Sequence, residues 1–200
     1  MAPIEKKREQ ILEAAVQEFQ ERGFQGASMD RISERANVSK RTVYNHFESK
    51  EALFKAIVEL IFDEISETLN IGYDPSQPLE EQLLALGRAE GRLMCSKRFM
   101  RLVRMAMSET IRDPALAAEM NAKSEAVSVF NDFMSAAQES GAIDTDDPEE
   151  AGAQFIGLIK SRAFWPYILN GGTVGDDEME HIVRTSVETF LARFASKPET

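Results

Sequence analysis

The chain has 200 residues, and its 43% hydrophobic content is that of an ordinary globular protein with a buried core. It has no apolar run of about 18 residues or more, which argues against a membrane span, and no apolar block near its start, which argues against a secretory signal. Its single cysteine, Cys95, cannot form an internal disulfide. We therefore expect a cytoplasmic protein with no membrane partner, and the net charge of −11 argues against attraction of the whole chain to nucleic acid.

The first predicted helix covers residues 5–22. Its apolar residues recur at helical spacing, at Ile11, Leu12, Ala15 and Phe19. Gly23 follows and Phe24 comes next, an order that is typical of a left-handed helix cap with an apolar residue just beyond it.

Two short helical patterns separated by a tight turn come next. The first begins after Ser28, whose hydroxyl can cap a helix, and we expect it to end near Ala36. Asn37 lies at the turn, where asparagine tolerates the left-handed backbone conformation better than most residues. Ser39 can cap the second helix. This arrangement predicts a helix-turn-helix.

The second short helix is predicted over residues 40–47. Val43 and Phe47 are four residues apart and share one face, which leaves the other faces to side chains rich in hydrogen-bond donors. These side chains are Lys40, Arg41, Thr42, Tyr44, Asn45 and His46.

The remainder of the chain is also predicted to be helical. An apolar stripe from Phe54 to Leu69 predicts a fourth helix, and the breaker-rich residues 70–78 end it. Further helices are predicted near residues 78–95, 97–111, 114–140, 148–170 and 176–196, with a kink at Pro166. Gly87 and Gly91 either permit close helix packing or weaken their helix. The prediction is an all-α fold of about nine helices.

Charge divides the chain into two parts. Residues 1–55 carry ten Lys and Arg against nine Asp and Glu, whereas residues 56–200 carry 13 against 25. A nearly neutral head with its cations on one surface can approach phosphate even though an acidic body repels it. We therefore predict a three-helix head over residues 1–55, joined by the fourth helix to a larger body over residues 56–200.

The head resembles the tetracycline-repressor (TetR/AcrR) family of transcription regulators. The resemblance covers about residues 8–55 and is carried by the segments 31–33, 36–39, 42–47 and 49–53. Asn37 stands where the family usually has glycine, and Ser33 where it has alanine. The body resembles the AefR branch of the family, chiefly in residues 105–115 and 141–151 and in the Phe-Ile-Gly-Leu that follows.

The resemblance implies a homodimer that binds a palindromic operator in double-stranded DNA, usually to repress a promoter, and that a small molecule releases. It also implies DNA contacts for residues of the helix-turn-helix. Ser28, Thr42, Tyr44, His46 and Lys50 would contact phosphates, Lys40 and Arg41 would enter the major groove or its edge, and Asn45 belongs to the same candidate surface. Arg41 is the best candidate for base readout, because an arginine offers two donors to guanine.

Two alternatives to this interpretation stay open. In the first, Lys40, Arg41 and Lys50 form only an ordinary solvated face, and Tyr44 is a packed side chain. In the second, the whole chain is a helical module that sequesters a ligand or binds a protein without binding DNA. Gel shifts against random and then selected palindromic duplexes separate DNA binding from the second alternative.

The body contains candidate residues for ligand binding and for dimerisation. Met and aromatic side chains can line an adaptable apolar pocket for a small apolar or amphipathic effector, although such side chains are more often plain core. The ligand candidates are Met94, Met105, Phe130, Phe133, Met134 and Trp165. The resemblance places the last two long helices in a four-helix dimer interface, whose candidates are Phe155, Leu158, Ile159, Val187, Phe190, Leu191 and Phe194. The alternative is that both stripes face the internal core.

The residues do not favour an enzyme, a metal site or a cofactor. Glu178 and His181 have the Glu-x-x-His spacing of di-iron bundles, but the only other histidine, His46, lies in the helix-turn-helix. Cys95 has no second cysteine to resolve it and no nearby histidine in the sequence to activate it. We therefore expect no catalytic residues, no metal and no cofactor.

Overall fold

The computed structural model describes residues 3–125 and 129–196 of the chain. Within these ranges the regular secondary structure is helical, apart from one isolated bridge between Ile143 and Ala195. The helices are α1 (Pro3–Gly26), α2 (Met29–Arg35), α3 (Lys40–His46), α4 (Lys50–Thr68), α5 (Leu79–Cys95), α6 (Lys97–Thr110), α7 (Pro114–Glu125), α8 (Val129–Glu139), α9 (Pro148–Ala163), α10 (Trp165–Asn170) and α11 (Asp176–Phe194). The predicted all-α fold is confirmed.

One predicted helix is interrupted within the described ranges, and another includes residues that lie outside them. The helix predicted over residues 114–140 corresponds to α7 and α8, and residues 126–128 between them lie outside the described part. The helix predicted over residues 148–170 is broken at Phe164, whose φ of −110° and ψ of −63° depart from helical values. Pro166 explains the break, since a proline has no N–H to donate and its ring clashes with the carbonyl four residues before it.

The described chain divides into two compact units. Unit 1 lies within residues 1–63 and 101–126, and unit 2 within residues 64–100 and 127–200. Both α4 and α6 therefore contribute residues to both units. The boundary predicted between residues 55 and 56 stays a prediction. None of the described helices is long and apolar enough to cross a membrane.

The core of unit 1 is built around three aromatic rings. The centre of the Phe24 ring lies 5.4 Å from that of Phe19 and 5.8 Å from that of Phe54. All three rings are buried, as are Ile32 of α2 and Val43 of α3. Each of the first four helices therefore contributes at least one buried apolar side chain to unit 1.

The core of unit 2 depends on close approach between α5 and α11. A Cβ atom at Gly87 would lie 2.9 Å from Cγ1 of Val183, and one at Gly91 would lie 2.9 Å from Cε and Cγ of Met179. Both glycines are buried. Of the two roles left open for them, the structure supports close helix packing.

We expect Gly87→Ala to lower the stability of the protein. The new methyl group clashes with Val183, whose β-branched side chain is stiff, and such overpacking typically costs about 1–3 kcal/mol, more than the roughly 1 kcal/mol that alanine gains over glycine in a helix. Gly91→Ala is the matched comparison, and we expect a smaller loss from it, because Met179 has more rotatable bonds than Val183 with which to relieve its clash. Urea unfolding measures both, and equal effects of the two substitutions would contradict this account.

Candidate nucleic-acid interface

The helix-turn-helix has the capping geometry that its sequence predicts. The Ser28 hydroxyl accepts a hydrogen bond from the Arg31 N–H at 3.3 Å, and the Ser39 hydroxyl accepts one from the Thr42 N–H at 3.1 Å. Asn37 has a φ of 52°, the one positive value at a non-glycine residue in the described ranges. The predicted caps and the left-handed turn are therefore confirmed.

Two buried side chains set the orientation of α3. Val43 is fully buried and Phe47, which caps the helix, is 5% exposed. The opposite face points to solvent. Lys40, Arg41, Tyr44 and Asn45 are exposed, and Thr42 and His46 are half-buried.

Tyr44 is the most informative residue of this face. Its side chain is 53% exposed, so the alternative in which Tyr44 packs against the core does not describe the structure. A large exposed aromatic residue with a hydroxyl at its tip suits contact with a sugar-phosphate backbone.

Lys40 is held by a carboxylate. Its Nζ atom lies 2.5 Å from Oδ2 of Asp30, and this hydrogen bond raises the pKa of Lys40. Both side chains are more than half exposed, so a phosphate group can compete for the ammonium at little cost.

Lys50 is anchored to the end of α1, a role that the sequence did not reveal. Its ammonium donates to the carbonyl oxygen of Phe24 at 2.9 Å and to that of Gln25 at 3.3 Å, and it lies 5.1 Å from the centre of the Phe24 ring. A lysine has three N–H donors, so one remains for a phosphate oxygen once the two carbonyls are bound.

A buried carboxylate that the sequence did not predict joins α1 to α2. Glu18 is 0% exposed and pairs with Nε of Arg31 and with Nη2 of Arg35, the second at 3.4 Å. Arg35 also binds Glu21 at 2.5 Å, and this contact lowers the pKa of Glu21. The available sequence signal was an acidic residue beside the apolar Phe19 on the buried face of α1.

Four of the six predicted ligand residues lie in one region. Met94, Phe133 and Met134 are buried in the core of unit 2, and Phe130 packs against that core. Met105 is buried in unit 1. The Trp165 side chain is 49% exposed and lies outside this core. Ligand contact stays a prediction for all six.

Five of the seven predicted interface residues are buried within a single chain. Phe155, Ile159, Val187, Phe190 and Phe194 are each 4% exposed or less, so the alternative in which both stripes face the internal core describes them. Leu158 and Leu191 are half-buried. Contact of these residues with a second copy stays a prediction.

The thiol of Cys95, the single cysteine of the sequence, does not have the environment of a nucleophile. Cys95 is partly buried, and burial together with the nearby Asp176 carboxylate raises the pKa of its thiol. A thiol with a raised pKa is mostly protonated at neutral pH, which lowers its reactivity.

Comparison with known proteins gives two family matches. Residues 11–57 match the model of the bacterial regulatory proteins of the tetR family, and residues 81–196 match that of the C-terminal domain of AefR-like transcriptional repressors. A TetR family transcriptional regulator from Pseudomonas syringae pv. tomato has a similar structure, with a TM-score of 0.87 and 36% identity over 96% of this chain and 98% of that chain.

Two further relatives are informative. The flavonoid-responsive regulator FrrA is 28% identical, with a TM-score of 0.73 over 96% of this chain and 99% of FrrA. The uncharacterized HTH-type transcriptional regulator YhgD of Bacillus subtilis is 34% identical over 77 residues, which are 38% of this chain. The matched segment spans only 40% of YhgD.

We expect Lys50→Ala to weaken binding to every DNA sequence by a similar factor. A lysine that contacts phosphate contributes about 0.9 to the slope of log affinity against log salt concentration, so the slope becomes shallower by that amount for each copy that contacts DNA. Fluorescence anisotropy with a labelled duplex at several salt concentrations measures it. Lys55→Ala removes the same charge from the same helix at an exposed position, and an equal effect of the two substitutions would rule out a specific contact by Lys50.

Proposed function

Because this chain belongs to the TetR family of bacterial transcriptional regulators, and its C-terminal part to the AefR-like repressors within it, we propose that it is a homodimeric repressor released from DNA by a small molecule. The chain is therefore a transcriptional regulator with a DNA-binding domain and not an enzyme. We also propose a cytoplasmic location, because a regulator of this family acts on DNA. Homodimerisation, the palindromic operator, repression and the effector are the proposed parts.

The outward face of α3 is the observation that carries the proposal. Val43 and Phe47 bury one side of a seven-residue helix, so the donor-rich side faces solvent. A helix presented in this way can lie in the major groove of one operator half-site, as second helices of helix-turn-helix motifs do. Thr42, Tyr44, His46, Lys50 and Ser28 then lie where phosphate contacts fix the register, and Arg41 lies where it can read a base.

The proposed dimer contact is a groove between α9 and α11. The groove has a volume of about 370 Å³, and its lining is mainly apolar. It is lined by Gln154, Gly157, Leu158, Ser161, Thr189, Phe190, Arg193 and Phe194. In a symmetric pair the same groove would meet its own copy, so the contact would be isologous. Three of the seven predicted interface residues line it: the half-buried Leu158, and Phe190 and Phe194, which are 4% exposed or less and also belong to the core of unit 2.

The proposed effector is small and apolar or amphipathic. Met94, Phe133 and Met134 place two thioethers and one ring within the core of unit 2, and such side chains adapt to apolar ligands of different shape. FrrA, whose name describes it as flavonoid-responsive, supports a flat aromatic effector as the first class to test.

Release from DNA requires a difference in affinity. An effector lowers operator affinity only if it binds more tightly to a conformation in which the two heads have the wrong spacing for the half-sites. Because α4 contributes residues to both units, it is the proposed carrier of this change. An effector that raises the melting temperature without changing operator affinity would contradict this mechanism.

Selection of bound duplexes from a random pool tests the proposed function. It yields the half-site, the spacing between half-sites and the stoichiometry together. We expect two inverted half-sites about one helical turn, or a multiple of it, apart, because a two-fold symmetric dimer presents two α3 helices. A single unrepeated site, or no enrichment, would contradict a homodimer on a palindrome.

We expect Arg41→Ala to reduce specificity more than general affinity. Loss of a two-donor contact to guanine weakens the free energy of binding to the selected operator by about 1–3 kcal/mol and relaxes the preference at one base position. Binding to a random-sequence duplex weakens only by the contribution of one positive charge. The ratio of the two affinities is the measurement. Lys50→Ala is the matched control, because removing a phosphate contact leaves this ratio unchanged.

We expect Leu158→Asp to dissociate the dimer. The substitution places a charge at a half-buried position in the groove, where association of two chains would remove water from the carboxylate without giving it a cationic partner. Operator affinity decreases as well, because a monomer contacts only one half-site. Analytical ultracentrifugation measures the mass. Ala85→Asp adds the same charge at an exposed position on α5 outside the groove, and a dimer that survives Leu158→Asp would place the contact elsewhere.

A further inference from the structure

One turn of backbone near the end of α1 is held by side chains from three other helices. Gly23, with a φ of 68° and a ψ of 164°, interrupts α1, and residues 24–26 form a separate helical turn before α2. The carbonyl of Gly23 accepts a hydrogen bond from the Ala27 N–H at 3.1 Å, which closes this turn. The N–H of Phe24 has no acceptor within the turn, because it lies at the turn's own beginning.

Glu109 of α6 supplies that acceptor from 85 positions further along the chain. Its Oε2 atom accepts the Phe24 N–H at 3.0 Å, and the residue is only 4% exposed. A carboxylate at the beginning of a helical turn also matches the positive end of the peptide dipoles. Arg112 also approaches this carboxylate: its Nη1 lies 3.7 Å from Oε1, and its side chain is 70% exposed. The Glu109 carboxylate therefore holds the N–H end of the turn.

Cations hold the other end of the same turn. Lys50 of α4 donates to the carbonyls of Phe24 and Gln25, and Arg31 of α2 donates to the carbonyl of Gly26. The turn thus has a carboxylate at its N–H end and an ammonium and a guanidinium at its carbonyl end. A displacement of its N–H end moves the carbonyls that fix Lys50.

We propose that Glu109 is a positioning residue for DNA binding, which acts through the turn of residues 24–26 to hold the Lys50 ammonium where it meets a phosphate. The proposal rests on the phosphate contact proposed for Lys50. All the groups involved lie within unit 1. It follows that the C-terminal end of α6 contributes to operator affinity without touching DNA.

The sign of the expected effect separates positioning from simple electrostatics. Removing a carboxylate makes the protein less acidic, and by charge alone this strengthens binding to DNA. If Glu109 positions Lys50, Glu109→Ala weakens binding instead, by about fivefold, the scale of one lost hydrogen bond. The salt slope becomes shallower as well, because Lys50 leaves the phosphate.

Glu13→Ala is the matched control. Glu13 of α1 pairs with Arg101 of α6 at 3.6 Å, so this substitution removes the same charge from a contact between the same two helices without touching the turn. Glu109→Gln retains a carbonyl oxygen that can accept the Phe24 N–H, and it serves as a second variant if Glu109→Ala does not fold. We expect affinity to decrease in the order wild type, Glu109→Gln, Glu109→Ala, and Glu13→Ala to bind as tightly as wild type or more tightly.

The experiment measures the affinity of a labelled random-sequence duplex at several salt concentrations. The proteins are the full chain, the three variants above, Lys50→Ala and the double variant Glu109→Ala/Lys50→Ala. In the Lys50→Ala background we expect Glu109→Ala to change affinity by less than about twofold, because the residue through which it acts is gone. Thermal melting of each variant shows that it is folded.

Three results would overturn the proposal. They are unchanged or tighter binding by Glu109→Ala, an unchanged salt slope, and an effect of Glu109→Ala that is fully retained in the Lys50→Ala background. If Lys50→Ala itself has no effect, the phosphate contact and the role of Glu109 are both refuted, while the reading of bases by Arg41 is unaffected. A wild-type chain that binds no duplex at all refutes the proposed function and this inference with it.

Discussion

The burial of Val43 and Phe47 determines what the surface of the helix-turn-helix can do. A helix of seven residues has little stability of its own in water, so α3 exists because these two side chains pack into the core and because Ser39 caps its first turn. The same packing selects which side chains face solvent. The set of side chains that α3 exposes is therefore a consequence of core packing.

Ionic contacts complete this arrangement in a chain with a net charge of −11. Glu18 is buried between the arginines of α2, and Lys50 and Glu109 hold opposite ends of one turn of backbone. Breaking a buried pair by removing one partner is costly, because the other charge stays desolvated. Such contacts fix where the few cations of the head lie, which matters more in an acidic protein than how many cations there are.

Local signals in the sequence predicted the head well. The Ser28 and Ser39 caps, the left-handed Asn37 and the spacing of Val43 and Phe47 depend only on residues close in the chain, and each is confirmed. The break at Phe164 was predicted as a kink, because the effect of Pro166 on a helix is visible in sequence but its extent depends on surrounding packing.

The sequence by itself determined the helical class, the helix-turn-helix and the side chains available on α3, because helix periodicity, caps and turns arise from neighbouring residues. Only the tertiary structure decided that Phe155 and Phe190 pack together inside one chain, with ring centres 5.3 Å apart, rather than at an outer face. The hydrogen bond between Glu109 and Phe24, which are 85 positions apart in the chain, is likewise visible only in the tertiary structure. The physical reason is that an amphipathic stripe predicts that a helix face is buried but does not predict which element covers it. A single acidic residue in the sequence likewise gives no indication of a partner that is distant in the chain.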